Sequence, residues 1–307
     1  MNSLQYLKQI DINITDLCNK TCSFCPRHDS ALYPNNNQHM SLDLFKKVID
    51  ECLEVRYSKD ILLCGRGESS LHKNYEEVLE LLHHPDRTWK TCLTTNGRKL
   101  EKYWDYYTNN FDFIILNTYT NKEEYDERVK KYGWKLNTSG KLGDSPVKIY
   151  NLEHYFKPTG ATIDQVNNSE KGFERGFSLP ASPGIRWKYN FNKRCGLDGT
   201  ITENPAIKSP CLHPLELLFL NFDGKMHMCC NDWGTGGGKG QTVVGEFTKN
   251  NVFEQYLESR KRDMIIRSLI NGRRHDIEAC KKCEVKNRTE IKRAVKIKNE
   301  QKEEYMY

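Results

Sequence analysis

Asp16-Leu17-Cys18-Asn19-Lys20-Thr21-Cys22-Ser23-Phe24-Cys25-Pro26 governs how the rest of the chain is read. Its three cysteines stand in C-x3-C-x2-C order. They follow residues 9–14, where apolar and polar side chains alternate as in a strand. Three thiolates so spaced fit three corners of an Fe4S4 cube and leave its fourth iron without a protein ligand. An open iron, like the open position of a catalytic zinc, accepts a small chelating molecule. A structural zinc site is the rival reading. Such a site takes four protein ligands, and only His28 stands nearby as a fourth.

Outward from this loop, strand and helix patterns alternate. Ser41 is placed to cap a helix whose Leu44, Phe45, Val48, Ile49, Cys52 and Leu53 share one stripe. Residues 60–64 form a short apolar run that reads as a buried strand. Residues 74–84 read as a helix stopped by Pro85. A strand over 90–95 ends at the Asn96-Gly97 turn. A helix over 100–107 and a strand over 111–117 follow. Thr120 and Glu123 form a capping box for a further helix, and 147–150 reads as a fifth strand. Residues 152–185 are irregular, with Pro158, Gly160, Pro180, Pro183 and Gly184, and read as an insertion placed to cover a substrate. Residues 186–191 read as a sixth strand. Repeated strand–helix units predict an α/β fold with a parallel sheet and right-handed crossovers. Ligands of such sheets gather at the carboxyl ends of the strands.

Cys64-Gly65-Arg66-Gly67-Glu68 lies at one such end. Two glycines permit close approach of the backbone, and a carboxylate complements an ammonium group. Together with the cysteine loop, this segment resembles the radical SAM superfamily. The resemblance spans about residues 9–195. It implies a partial (β/α)6 barrel and a [4Fe–4S] cluster on Cys18, Cys22 and Cys25. S-adenosylmethionine (SAM) would chelate the open iron through its amino and carboxylate groups. It further implies that Gly65, Gly67 and Glu68 meet the SAM amino group, and that Thr95, Asn96, Asn117 and Thr118 border its pocket. The family often has proline after the glutamate, where this chain has Ser69, and Arg66 is unusual between the glycines.

A second cysteine group comes later: Cys211, Cys229, then Cys280-Lys281-Lys282-Cys283. Asn221-Phe222-Asp223-Gly224 reads as a hairpin turn that brings Cys211 and Cys229 together. Four thiolates suit one fully ligated iron–sulfur cluster or a zinc ribbon. Consecutive strand residues face opposite ways, so one of Cys229 and Cys230 is the ligand, and the spacing from Gly224 favours Cys229. The group resembles the shortened, Twitch form of the SPASM class of radical SAM enzymes. That implies a single auxiliary [4Fe–4S] cluster. It divides the chain into a radical SAM core over 1–195 and a small auxiliary-cluster domain with a charged tail over 196–307. Arg194 and Cys195 sit after the sixth predicted strand, in Asn192-Lys193-Arg194-Cys195-Gly196. The resemblance places Arg194 against substrate and makes Cys195 a candidate hydrogen-atom donor. A surface arginine and an inert buried cysteine are the plainer readings.

Composition bounds the rest. The chain has 307 residues, enough for a large catalytic domain and a small appendage. Its twelve cysteines come without an apolar leader or an apolar run of membrane-spanning length, so a reducing cytosol and metal-binding thiols are expected. Net charge is +6, which suits an acidic electron donor or a phosphorylated substrate, and equally an ordinary mixed surface. The resemblance implies a flavodoxin or ferredoxin-type donor. The Gly234–Gly240 stretch lacks the Lys-Ser/Thr ending of a phosphate loop. The leading expectation is a small-molecule oxidation assisted by the auxiliary cluster. A peptide-modifying maturase and a redox-neutral epimerase using Cys195 are the alternatives. With the cysteine loop already at residue 18, a preceding peptide-recognition domain is not expected, which lowers the peptide reading and leaves it open. A zinc-stapled nucleic-acid binder is the non-enzyme reading, and the interspersed charges of the tail argue against it.

Overall fold

The structure is a computed structural model, in which residues 4–21, 27, 30, 31, 33–118, 147–151, 210–230, 232, 242–248 and 251–281 are described. Five strands come first: β1 (Gln9–Asn13), β2 (Asp60–Leu63), β3 (Lys90–Thr95), β4 (Phe113–Thr118) and β5 (Val147–Asn151). Helices α1 (Leu42–Glu54), α2 (Tyr75–Leu82) and α3 (Leu100–Asn110) alternate with the first four. The helix after Thr120, the insertion, the sixth predicted strand and the charged tail lie outside the described residues.

Helix α1 begins where Ser41, in extended conformation, accepts a hydrogen bond from the Leu44 amide at 3.2 Å. Its stripe of Phe45, Val48, Ile49 and Cys52 is buried. Each such side chain contributes roughly 1.5–3 kcal/mol on leaving water. Trimming Phe45 to alanine costs about 3–5 kcal/mol, because the cavity cannot fully close. Helix α2 stops at Leu82, before the expected residue 84, since the residue ahead of Pro85 is barred from helical backbone.

The sheet does not end with the first five strands. Strand β6 (Leu217–Asn221) lies parallel to β1, with Gln9 opposite Leu217 and Asn13 opposite Asn221. Strands β7 (Lys225–His227) and β8 (Val243–Glu246) continue it antiparallel. The order is β5-β4-β3-β2-β1-β6-β7-β8. Strands from both sides of residue 195 therefore share one sheet. Helices α4 (Val252–Glu258) and α5 (Arg260–Ile270) pack beside the added strands. No helix among the described residues is long and apolar enough to cross a membrane.

Strand β1 is central, and its two faces differ. Ile10 and Ile12 join the main core with Phe45, Ile61, Leu93, Leu218 and Leu220. Gln9, Asp11 and Asn13 point the other way and are buried too. Inner strands of parallel sheets are usually apolar throughout, so this polar row marks the inner face as more than core. On that face Leu62, Cys92 and Ile115 form a small apolar cluster under β2–β4. Register places Phe219 beside Asp11 and His227 beside Phe219.

Candidate functional site

Beyond β1 the chain turns into the cysteine loop, and the segment 33–39 folds back to hold it. Asp16 accepts from the amides of Asn36 (2.9 Å) and Gln38 (2.6 Å). Thr15 Oγ1 accepts from the Leu17 amide at 3.1 Å and donates to the Gln38 carbonyl at 3.0 Å. Asn35 brackets Cys18, taking its amide at 3.3 Å and donating to its carbonyl at 3.4 Å. Arg27 is buried, stacks 4.8 Å over Tyr33 and donates to Asn35 Oδ1 at 3.1 Å. Its remaining nitrogens donate to the carbonyls of Asp16 and Arg66.

The glycine loop after β2 lies directly against this structure. Glu68 donates its amide to the Leu17 carbonyl at 2.7 Å. Gly65 has φ +146°, and a Cβ there would overlap the Asn13 side chain. A Cβ on Gly67 would meet the carbonyls of Thr15 and Leu17, the latter at 2.7 Å. Gly65 is thus required by its own φ and by the Asn13 side chain, and Gly67 by the backbone of the cysteine loop pressed against it.

Glu68 is 2% exposed, and its carboxylate faces the protein. It accepts from Ser70 Oγ (2.8 Å), Thr95 Oγ1 (2.6 Å) and the Asn96 amide (2.7 Å). So the acid of the glycine motif anchors the end of β3. Asn96 in turn reaches the cysteine loop, with Nδ2 3.9 Å from Cys18 Sγ and 3.0 Å from Asn19 Oδ1. Cys18, Gly65, Gly67, Glu68, Thr95 and Asn96 therefore converge at the carboxyl ends of β1, β2 and β3. Asn117 and Thr118 lie at the end of β4, where only their backbone is described, paired with Tyr150 and Asn151. Cys22, Cys25, Cys283, Arg194 and Cys195 lie outside the described residues.

The second cysteine group sits at the opposite end of the sheet. The turn after β6 closes through the Gly224 amide on the Asn221 carbonyl at 2.9 Å, with Gly224 at φ +81°. The hairpin thereby sends Cys229 back toward the amino end of β6, which Cys211 precedes. Cys211 donates its amide to the Leu269 carbonyl at the end of α5, at 3.0 Å. Arg274 donates to the neighbouring Pro210 carbonyl at 3.2 Å. Cys280, in the short turn Glu278–Lys281, packs against the same core cluster as Cys211. Met228 is buried in that core, and His227 lies on the inner face.

Several residues escaped the sequence reading. Arg27 and Asn35 had no motif to mark them. His227 is fully buried on the inner face, 5.8 Å from the Phe219 ring, and neither ring nitrogen has a hydrogen-bond partner among the described residues. Burial and the nearby Arg66 guanidinium hold its pKa well below the ordinary imidazole value. Arg66 itself is buried, its guanidinium 5.0 Å over the Phe219 ring and donating to the Asp232 carbonyl. By contrast, the thiols of Cys52 and Cys92 are buried and pushed up in pKa by desolvation, which suits core packing and no chemistry.

Comparison with known proteins agrees with this layout. Residues 12–137 match the model of the Radical SAM superfamily. GTP 3′,8-cyclase of Clostridium perfringens (strain SM101 / Type A) is 27% identical over 133 residues, 42% of this chain and 41% of that protein. GTP 3′,8-cyclase of Vibrio atlanticus (strain LGP32) is 30% identical over 92 residues, 30% of this chain and 27% of that protein. The chain thus spans less than half the length of the curated relatives it matches. Among solved structures, BtrN in complex with AdoMet and 2-DOIA superposes with a TM-score of 0.65 at 18% identity, over 93% of this chain and 95% of that one. Native anSMEcpe with bound AdoMet gives 0.51 at 14% identity, over 85% and 83%. Residues 12–137 thus carry the match to the Radical SAM superfamily, and the chain has the partial α/β barrel fold that BtrN and anSMEcpe share.

Proposed function

We propose that the protein reductively cleaves SAM, abstracts a hydrogen atom from a small polar molecule, and completes an oxidation with help from a second [4Fe–4S] cluster. The observation that carries this reading is the meeting of the cysteine loop, the glycine loop and Asn96 at one end of the sheet. Cys18, Cys22 and Cys25 would hold the first cluster. A set of three thiolates suits a cube with one open iron, and the half-buried Cys18 thiol beside an amide donor suits a cluster ligand. When bound, the cluster and SAM supply the 5′-deoxyadenosyl radical. The chain's own residues set the geometry. Asp16, Arg27 and Asn35 fix the cysteine loop, and Glu68 fixes Thr95 and Asn96. Gly65, Gly67, Asn117 and Thr118 border the same space, and Glu68 acts on SAM through its backbone and its neighbours.

Cys211, Cys229, Cys280 and Cys283 would hold the auxiliary cluster, in a domain over 196–307 beside a core over 1–195. The return of the hairpin toward Cys211 supports this set. The inner face is polar under β1 and β7 and apolar under β2–β4, which suits a small molecule with one polar edge. Arg194 is assigned to that substrate and Cys195 to hydrogen donation in a redox-neutral variant. The electron donor is of flavodoxin or ferredoxin type, and the compartment is the reducing cytosol.

Iron and sulfide content after anaerobic reconstitution tests the reading, together with 5′-deoxyadenosine release. Wild type should hold about eight irons and a Cys18/Cys22/Cys25→Ala variant about four. One 5′-deoxyadenosine per oxidised product supports the oxidation. Zinc with little iron would remove the whole reading. A Cys195→Ala protein with an unchanged product and rate would remove the donor role of that thiol.

A further inference from the structure

Arg66 stands between the two glycines of the SAM end, yet its side chain does not stay there. Its backbone is fixed twice. The amide donates to Asn13 Oδ1 at 3.1 Å, and the carbonyl accepts from Arg27. Its guanidinium crosses the inner face over Phe219 and donates to the carbonyl of Asp232. Burying a guanidinium is costly unless its surroundings compensate. A π face and a carbonyl oxygen both do so.

Asp232 is equally constrained. Its amide donates to the Cys229 carbonyl at 3.2 Å, closing the turn that follows β7. Its carboxylate accepts from the amide and hydroxyl of Thr242, both at 2.7 Å. The Met228 amide donates to the Thr242 carbonyl at 3.1 Å. So the Cys229 turn is locked to the approach of β8 on one side and to Arg66 on the other.

These bonds join end to end. The Cys18 amide donates to Asn35 Oδ1, which also accepts from Arg27. Arg27 donates to the Arg66 carbonyl, Arg66 to the Asp232 carbonyl, and Asp232 to the Cys229 carbonyl. A contiguous set of hydrogen bonds thus connects the two cysteine sites through the side chains of Asn35, Arg27 and Arg66. We infer that Arg66 is a positioning residue that couples the SAM site to the Cys229 turn, so that SAM binding is felt at the auxiliary end of the sheet. This rests on the proposed radical SAM site. The auxiliary cluster provides one readout of it, and the backbone of the turn provides another.

The test uses the full, anaerobically reconstituted chain as wild type, Arg66→Gln and Arg66→Lys. Amide hydrogen exchange across the Cys229–Asp232 turn is measured with and without SAM, and the reduced protein is followed by electron paramagnetic resonance. SAM should slow exchange of the Asp232 amide in wild type by about fivefold or more. It should also change the second cluster's signal. In Arg66→Gln both responses vanish and the SAM dissociation constant rises about tenfold. In Arg66→Lys, which keeps a charge and one donor, part of each response returns. Unchanged Asp232 exchange in wild type on adding SAM overturns the inference, even if the variants fail to fold. So does an Arg66→Gln protein with wild-type responses. About four irons in wild type would remove the auxiliary cluster but not the coupling, which the exchange measurement then decides alone.

Discussion

At the carboxyl end of β1, Cys18 sits in a loop bound by Asn35, Arg27, Asp16 and Thr15 and pressed against two glycines. At the other end of the same sheet, Cys211, Cys229 and Cys280 come from three separate segments: Cys211 is bonded to the end of α5, Cys280 packs on the same apolar core as Cys211, and the hairpin returns Cys229. One site is made rigid by local polar contacts. The other is assembled by topology, from a hairpin return and the end of α5. Local polar networks tolerate little change in their own residues. An assembled site depends on elements far from it in sequence, and so on the integrity of the whole sheet.

Changes at each end should break this contrast in different ways. The largest effect belongs to Cys18→Ala, which should abolish 5′-deoxyadenosine formation and remove about four irons, leaving the second site filled. Cys229→Ala should also cost about four irons, while Cys230→Ala costs none. Equal iron in the two variants would show that the choice of Cys229 over Cys230 is wrong. Glu68→Gln comes next. It keeps the shape but loses the charge that accepts from Thr95 and Asn96, and 5′-deoxyadenosine formation should fall about 10–100-fold with both clusters retained. Gly67→Ala should lower stability by about 1–3 kcal/mol, because its Cβ meets backbone that cannot move aside. Gly245→Ala, whose Cβ meets the flexible end of Met226, is the milder control on the auxiliary side. Denaturant midpoints for the pair measure this difference.

The smallest effect is one of pH and lies in the shared scaffold. His83 packs between Tyr106 and Phe111, and burial pushes its pKa down to about 4 from 6.5. A histidine with a depressed folded pKa takes up its proton first in the unfolded chain. Its contribution is therefore present at pH 7 and declines as pH falls from about 6.5 toward 4. A plot of Tm against pH should rise through that window, falling as acid is added, and His83→Gln should flatten it.

Local physics made much of this legible in advance. The Ser41 cap, the α1 stripe, the strand over 90–95 and the Asn221–Gly224 turn follow from short-range rules, and the structure holds them in place. The cysteine spacing pointed to one end of a parallel sheet, where Cys18 lies. Long-range pairing was hidden. Nothing in Leu217–Asn221 announces β1 as its neighbour, because an apolar strand does not name its partner. The inward turn of the Glu68 carboxylate was hidden for a related reason. An acid after two glycines reads the same whether it faces a ligand or the end of the next strand. Arg27 and Asn35 take their role from a fold-back that only three dimensions display.

The pairing of β1 with β6 also sets a timetable. Asn13 bonds to Asn221 across 208 positions. A ribosome adding roughly 5–20 residues per second needs about 10–40 seconds to travel that distance. Throughout that interval one edge of β1 has no strand beside it, while the cysteine loop at its tip has already emerged. Unpaired edges recruit other strands. The newborn chain is thus at its most vulnerable with its most oxygen-sensitive residues exposed, and early covering of that edge is a condition for the sheet to close on itself.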